Sequence, residues 1–346
     1  MTRKLVVAVT ILLGVASLAP IALAPAAPPT ARALPLSFVA DLALPGNASR
    51  FDYQWVDGPH RRLYIAHLGD SSLLVFDLDA QRVLHEVPHL PSIHGVIAAP
   101  AQHLVLATAT GEKTLALIDD TTFRVKARVA AGEYPNGLAF DPASERVFVS
   151  NNSGRGVAVV DAKSARSLSG IDIGGGAGNT QWDADSGHIF AAVHGSPILV
   201  DIDPATAHVV GRIALRGLST CHGLLVASTL RLAFAACRGG SPRLAVVDLG
   251  ARRLTTTLPL PDGVDVLAFD PGLQRLYAAS ETGMVAVFAV AADRSISEIG
   301  RGLLGPNAHS VAVDPATHRV YFPLENVAGR PVLRVMEARV APTSPP

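Results

Sequence analysis

The chain has 346 residues, 49% hydrophobic and 17% charged, enough for one large domain or two ordinary ones. Its 29 basic and 29 acidic residues cancel, and no basic run stands out, so global charge favours neither nucleic acid nor an anionic membrane as partner. Frequent Gly (30) and Pro (25) with β-branched runs and few aromatics point to many short strands.

The N-terminus reads as an export signal. Arg3 and Lys4 supply positive charge, Leu5 to Leu18 is apolar, and Ala22-Leu23-Ala24 and Ala31-Arg32-Ala33 are small-x-small cleavage candidates. Cleavage is therefore expected near 24 or 33. An uncleaved anchor is the alternative, against which Pro20 and Pro25 argue because they break a continuous helix. No Cys lies near either site, so no lipoprotein is expected. Residues 1–33 are assigned to the signal and a Pro/Ala-rich spacer, 36–340 to the folded region and 341–346 to a Pro-rich tail. The expected location is periplasmic or extracellular, with no membrane span in the mature chain.

A repeat dominates the remainder. A strand often opened by a basic residue recurs as Arg62-Leu63-Tyr64-Ile65-Ala66, His103-Leu104-Val105-Leu106-Ala107 and Arg146-Val147-Phe148-Val149-Ser150. It returns near His188, Arg231, Arg275 and Arg319. Its first apolar position falls at 63, 104, 147, 189, 232, 276 and 320, giving intervals of 41 to 44 residues. Such a period marks stacked supersecondary units.

The third repeat shows four strands. Asn136 to Phe140 is followed by the turn Asp141-Pro142-Ala143-Ser144, then come Val147 to Ser150, Val157 to Asp161 and Ser167 to Ile173. Asp-Pro has a turn mechanism, since Asp accepts local backbone hydrogen bonds and Pro presets φ. It recurs at Asp270-Pro271 and Asp314-Pro315, and third strands are expected to end at Asp77, Asp119, Asp161, Asp201 and Asp248.

One such unit cannot cover its own apolar faces, whereas radial stacking covers both. Phe38 to Leu44 precedes the first repeat as a fourth strand would, and the last repeat stops after its third strand near Ala338. The expectation is an all-β, seven-bladed β-propeller closed by the N-terminal strand. A monomer is expected.

Val147-Phe148-Val149-Ser150-Asn151 followed by Val157-Ala158-Val159-Val160-Asp161 resembles the YVTN-type repeat of YncE-like β-propellers, over roughly residues 37 to 340. Blades 2 and 5 lack Asp-Pro and several blades lack the Asn. The resemblance implies an extracytoplasmic protein, mostly a non-enzymatic binder or surface protein.

Aligning the inner strands gives one residue per blade at the channel mouth: Asp52, His94, Asn136, Asn179, His222, Asp265 and His309, each 10 or 11 residues before the strand position above. His67, Asn151, His194, Glu281 and Glu325 are expected on the same face, from loops of the kind that carry binding on rigid scaffolds. Imidazole and carboxylate suit a polar small ligand, a peptide or acid–base work. They also suit a divalent metal, for which His94, His222 and His309 are the expected set. A plain solvated channel rim explains them equally. No cofactor is required by the sequence. The leading expectation is a non-catalytic binding or scaffold protein of the cell envelope, with a small molecule or an envelope protein as partner. A metal-assisted lyase or lactone hydrolase is the alternative. Ser228 and Ser310 lack a nucleophile-elbow motif.

Cys221 and Cys237 flank a turn centred on Thr229, which makes them near cross-strand neighbours able to bridge. Free buried thiols, or a reactive thiol beside His222, are the alternatives. Protein recovered from the envelope or medium should take two alkyl labels by mass spectrometry only after reduction. Labelling without reductant, or recovery from the cytoplasm alone, would contradict the pairing or the export.

Overall fold

The seven repeated strands become the second strands of seven antiparallel sheets, six of them ordered as in the chain. Arg62–His67, Leu104–Ala109, Arg146–Asn151 and Leu232–Cys237 are buried almost throughout, because a neighbouring blade covers each face. Outer strands such as Arg82–Val87 and Arg253–Pro259 are largely exposed. The first strands pack on one another in succession and so line the axis. The computed structural model describes residues 33–339. The expected signal and tail therefore lie outside the described residues, Ala33 excepted.

The apolar interior is divided into seven clusters, each shared by two adjacent blades. Leu63, Phe76, Tyr321 and Leu333, for example, join the first and last blades. No helix among the described residues is long and apolar enough to cross a membrane.

Closure follows the expected route. Leu36–Ala43 is the outer strand of the last sheet, pairing antiparallel with Arg330–Ala338 from Leu36 opposite Ala338 to Ala43 opposite Val332. Arg334 adds a two-pronged ion pair to Asp41, at 2.8 and 2.7 Å.

Turn chemistry explains the Asp that ends several inner strands. Asp141, Asp270 and Asp314 each accept the backbone N–H two residues on. Blades 2 and 5, without Asp-Pro, use short 3-10 turns at Pro100–Gln102 and Ser228–Leu230 instead. In both designs a left-handed residue leads into the second strand, as at Arg61 (φ 53°), Arg231 (φ 55°) and His318 (φ 59°). These three side chains reach the preceding blade. Arg61 grips Asp314 at 3.0 and 2.9 Å, His318 meets Asp270 at 2.9 Å and Arg231 meets Asp183 at 3.4 Å.

Two local expectations change. The third strand of blade 4 runs on to Asp203. Asp201 is instead buried within it, held there by His188 and Arg252. The fourth strand of blade 3 is split into Arg166–Ser167 and Ile171–Asp172, with Gly170, which has no side chain to pack, at the break.

The Arg61–Asp314 clasp makes a pH-dependent prediction. Burial pushes the Asp314 carboxyl up, but the bonds from Arg61 and Thr317 outweigh it and hold the group below the usual carboxylate range. A depressed folded value adds stability above the unfolded value of about 4, and that stability is lost as pH falls through the folded value. Arg61→Gln should therefore cost about 2 kcal/mol at neutral pH. Denaturant titrations should show the gap from wild type narrowing below about pH 4.

Candidate functional site

The rim residues face the axis because the inner strands are bulged there. The pairing of first and second strands slips between Ile93 and Val96, Pro135 and Leu138, Ala177 and Thr180, Cys221 and Gly223, and Val264 and Val266. His94, Asn136, Asn179, His222 and Asp265 all fall inside these slips. A bulge leaves a residue out of the ladder and re-aims its side chain. Asp52 and His309 lie just before the shorter inner strands Gln54–Asp57 and Ala312–Asp314.

Glycines let blades 2 to 6 crowd together at this level. A Cβ on Gly95 would sit 2.4 Å from the Asn136 carbonyl oxygen, and one on Gly223 would sit 2.4 Å from that of Asp265. Gly178 faces the His222 carbonyl oxygen in the same way, while Gly137 makes room for the Asn179 side-chain oxygen. The polar-then-Gly pairs at 94–95, 136–137 and 222–223 are therefore a packing signature as well as a rim signature.

Around the ring, blades 5, 6, 7, 1 and 2 contribute His222, Asp265, His309, Asp52 and His94, so imidazole and carboxylate alternate. His222 Nε2 lies 3.4 Å from Asp265, and His94 Nε2 lies 3.8 Å from Asp52. The amides Asn136 and Asn179 complete the circle. These groups are not the open, solvated rim that one reading of the sequence expects: Asp52 is 3% and His309 1% exposed. Beneath them a cavity of about 330 Å³, walled by Val96, Leu138, Leu224 and Val311, runs to Gly58 and Pro315 in the turns ending the inner strands. A mostly apolar well under a few polar groups is the usual make-up of a small-ligand site.

Burial sets the protonation. It holds His94, His222 and His309 below the ordinary imidazole range, although the Asp265 charge pulls each the other way. Asp52 is pushed well above the usual carboxylate range, by burial first and by the Asp265 charge second. The site therefore presents neutral imidazoles and one carboxyl that favours its proton. It can accept hydrogen bonds, donate one from Asp52, or hold a cation.

The second set of loop residues has a different task. His67 is fully buried, stacked on Phe51 at 4.1 Å and bonded to Ser49. Asn151 accepts from the Tyr134 N–H and donates to the Ala131 carbonyl. Glu325 accepts from Asn307. Each pins the loop that enters its own blade's inner strand, so His67, expected on the ligand face, positions the rim instead. His194 is exposed, its ring 5.9 Å from that of His222. Glu281 pairs with Arg50 at 3.3 Å.

The expected metal set also changes. Among the described residues, the group with ligand atoms in mutual reach is Asp52, Asp265 and His309, not the three histidines. Inner strands of adjacent blades set that spacing, and they place His94 and His222 at the two ends of the arc. Cys221 and Cys237 are joined in a disulfide, directly opposite each other across the bulged pair. Ser310 is buried and accepts from Gln54.

Three contributors escape the sequence reading. Arg238 lies 3.6 Å from Asp265, Thr110 is 2.8 Å from His94 Nδ1, and Tyr134 is 3.4 Å from His94 Nε2. Thr110 and Arg238 follow the second strands of blades 2 and 5. Each lies one residue beyond the register position that Asn151 holds in blade 3, which Ala109 and Cys237 occupy here.

No protein-family model matches the chain, and no curated protein matches its sequence. Among solved structures it is similar to Kuenenia stuttgartiensis hydrazine synthase. The identity is 16% and the TM-score 0.73, over 86% of this chain and 97% of that one. Likeness at this identity shows the fold alone. With the seven sheets and their closure, it makes this chain a seven-bladed β-propeller.

Gly95→Ala should force blades 2 and 3 apart at the mouth and destabilise the ring by about 1–3 kcal/mol. Urea denaturation checks it, and an unchanged midpoint would mean that the blades do not close on Gly95.

Proposed function

We propose that this protein is an exported, YVTN-type propeller of the cell envelope that captures a polar small ligand at the channel mouth without turning it over. One observation carries the reading. Side chains from all seven blades converge on a buried mouth, and several of their polar atoms have no protein partner, among them Asp52 Oδ1, Asn136 Oδ1 and His309 Nε2. Buried polar groups without partners are costly, and a ligand would supply the missing bonds. The apolar well below would take the ligand's carbon skeleton. The signal-like N-terminus and a disulfide suited to oxidising surroundings support the envelope location.

A metal-assisted lyase or lactone hydrolase is the second reading, favoured by the grouping of Asp52, Asp265 and His309. The disulfide leaves no free thiol for covalent catalysis, so this reading draws its nucleophile from metal-bound water.

Native mass spectrometry of the purified protein tests both. The wild type should carry an organic adduct. The variant His94→Ala/His222→Ala/His309→Ala should lose it while its melting temperature shifts by no more than a few degrees. An adduct retained by the variant would refute the placement. Lactone turnover by the wild type, absent from the variant, would replace binding by catalysis.

A further inference from the structure

We propose that Asp52, Asp265 and His309 bind one first-row divalent transition-metal ion, an inference that rests on the channel mouth being the ligand site. The three come from blades 1, 6 and 7, neighbours around the ring, and their ligand atoms lie within 4.8 Å of one another. Metal bonds of about 2.1 Å would hold tetrahedral ligands about 3.4 Å apart, so small side-chain rotations close the set.

The donor chemistry points the same way. His309 Nδ1 lies 3.1 Å from the Asn307 carbonyl oxygen, which can only accept, so Nδ1 carries the proton and Nε2 is a bare lone pair. A second-atom bond to a carbonyl is how metal-ligating imidazoles are usually oriented. That Nε2 is buried without a partner, as is Asp52 Oδ1. His94 is tied alike, with Nδ1 2.7 Å from the Ser92 carbonyl oxygen, so its Nε2 lone pair faces the Asp52 carboxylate at 3.8 Å. Asp52 Oδ1 and His309 Nε2 are thus buried acceptors without a partner, and a cation that displaces the Asp52 proton satisfies both.

Charge leaves room for a dication. Once a metal displaces the Asp52 proton, Asp52, Asp265 and Glu281 outnumber Arg50 and Arg238 by one, and Arg50 is drawn aside by Glu281. A nitrogen with two carboxylates suits the manganese-to-zinc series, whereas calcium takes six to eight oxygens. His94 and His222 flank the set as orienting groups.

The test uses the full chain, purified without chelating resin and stripped with EDTA. Calorimetric titration with Co²⁺ and Zn²⁺ should show one equivalent bound. Asp52→Asn or His309→Gln should weaken binding about 100-fold, and His94→Gln about 10-fold. His208→Ala should change nothing, since His208 has the same Nδ1-to-carbonyl tie, to Thr206, but is exposed on an outer strand. Because a misfolded variant would also lose metal, spin-echo spectra of Cu²⁺ on the wild type read the imidazole nitrogen directly. No uptake by the wild type, no nitrogen modulation, or equal affinity in Asp52→Asn would overturn the inference. The two arginines would then account for the carboxylates. If the triple-alanine variant still lost its organic adduct, the binding reading would stand without the metal.

Discussion

A four-stranded sheet with two apolar faces is insoluble by itself, and every blade of this molecule is such a sheet. The packing between neighbouring blades therefore decides everything else. It replaces one central core with seven thin ones, each built half from one repeat and half from the next. The axis is left to the first strands alone. Because those strands converge on one axis, their upper ends need special devices to fit. Bulges and glycines are those devices, and the same bulges aim the rim side chains. The candidate site is thus a by-product of how the blades are made to converge.

The rim is uneven, and the unevenness has a physical cause. Gly95, Gly178 and Gly223 let the backbones of neighbouring blades approach closely, and Gly137 admits the Asn179 side chain. The corresponding positions of blades 6, 7 and 1 are Val266, Ser310 and Tyr53. Asp265, His309 and Asp52 precede these bulkier residues. Electrostatic tension gathers on that side, where burial and the neighbouring carboxylate act together on Asp52. Arg50 and Arg238 answer part of it from the loops above.

The repeat was legible because its signal is redundant. Seven copies of a buried strand survive local exceptions such as the missing Asp-Pro of blades 2 and 5, where 3-10 turns do the same work. Ring closure was legible because the first and last segments each lacked a partner. The seven rim positions could be read from spacing alone, but their burial could not, since it depends on how tightly seven backbones converge. His67 shows the limit: alignment puts it on the right face, while only packing on Phe51 turns it inward. Donor chemistry singles out three histidines, whereas adjacency around the ring brings the ligand atoms of Asp52, Asp265 and His309 within mutual reach.

The seam of the ring joins residues that are far apart in the chain. Arg334 reaches Asp41 across 293 positions, and the whole outer edge of the last sheet is supplied by a strand that precedes the first repeat. During synthesis the early strand has no partner until the final repeat has emerged, so its edge stays open throughout translation. Loop closure over such a span is slow compared with local pairing. The circle is therefore completed only once the final repeat is in place, which keeps the last blade, and with it His309, unfinished until every other blade has been made.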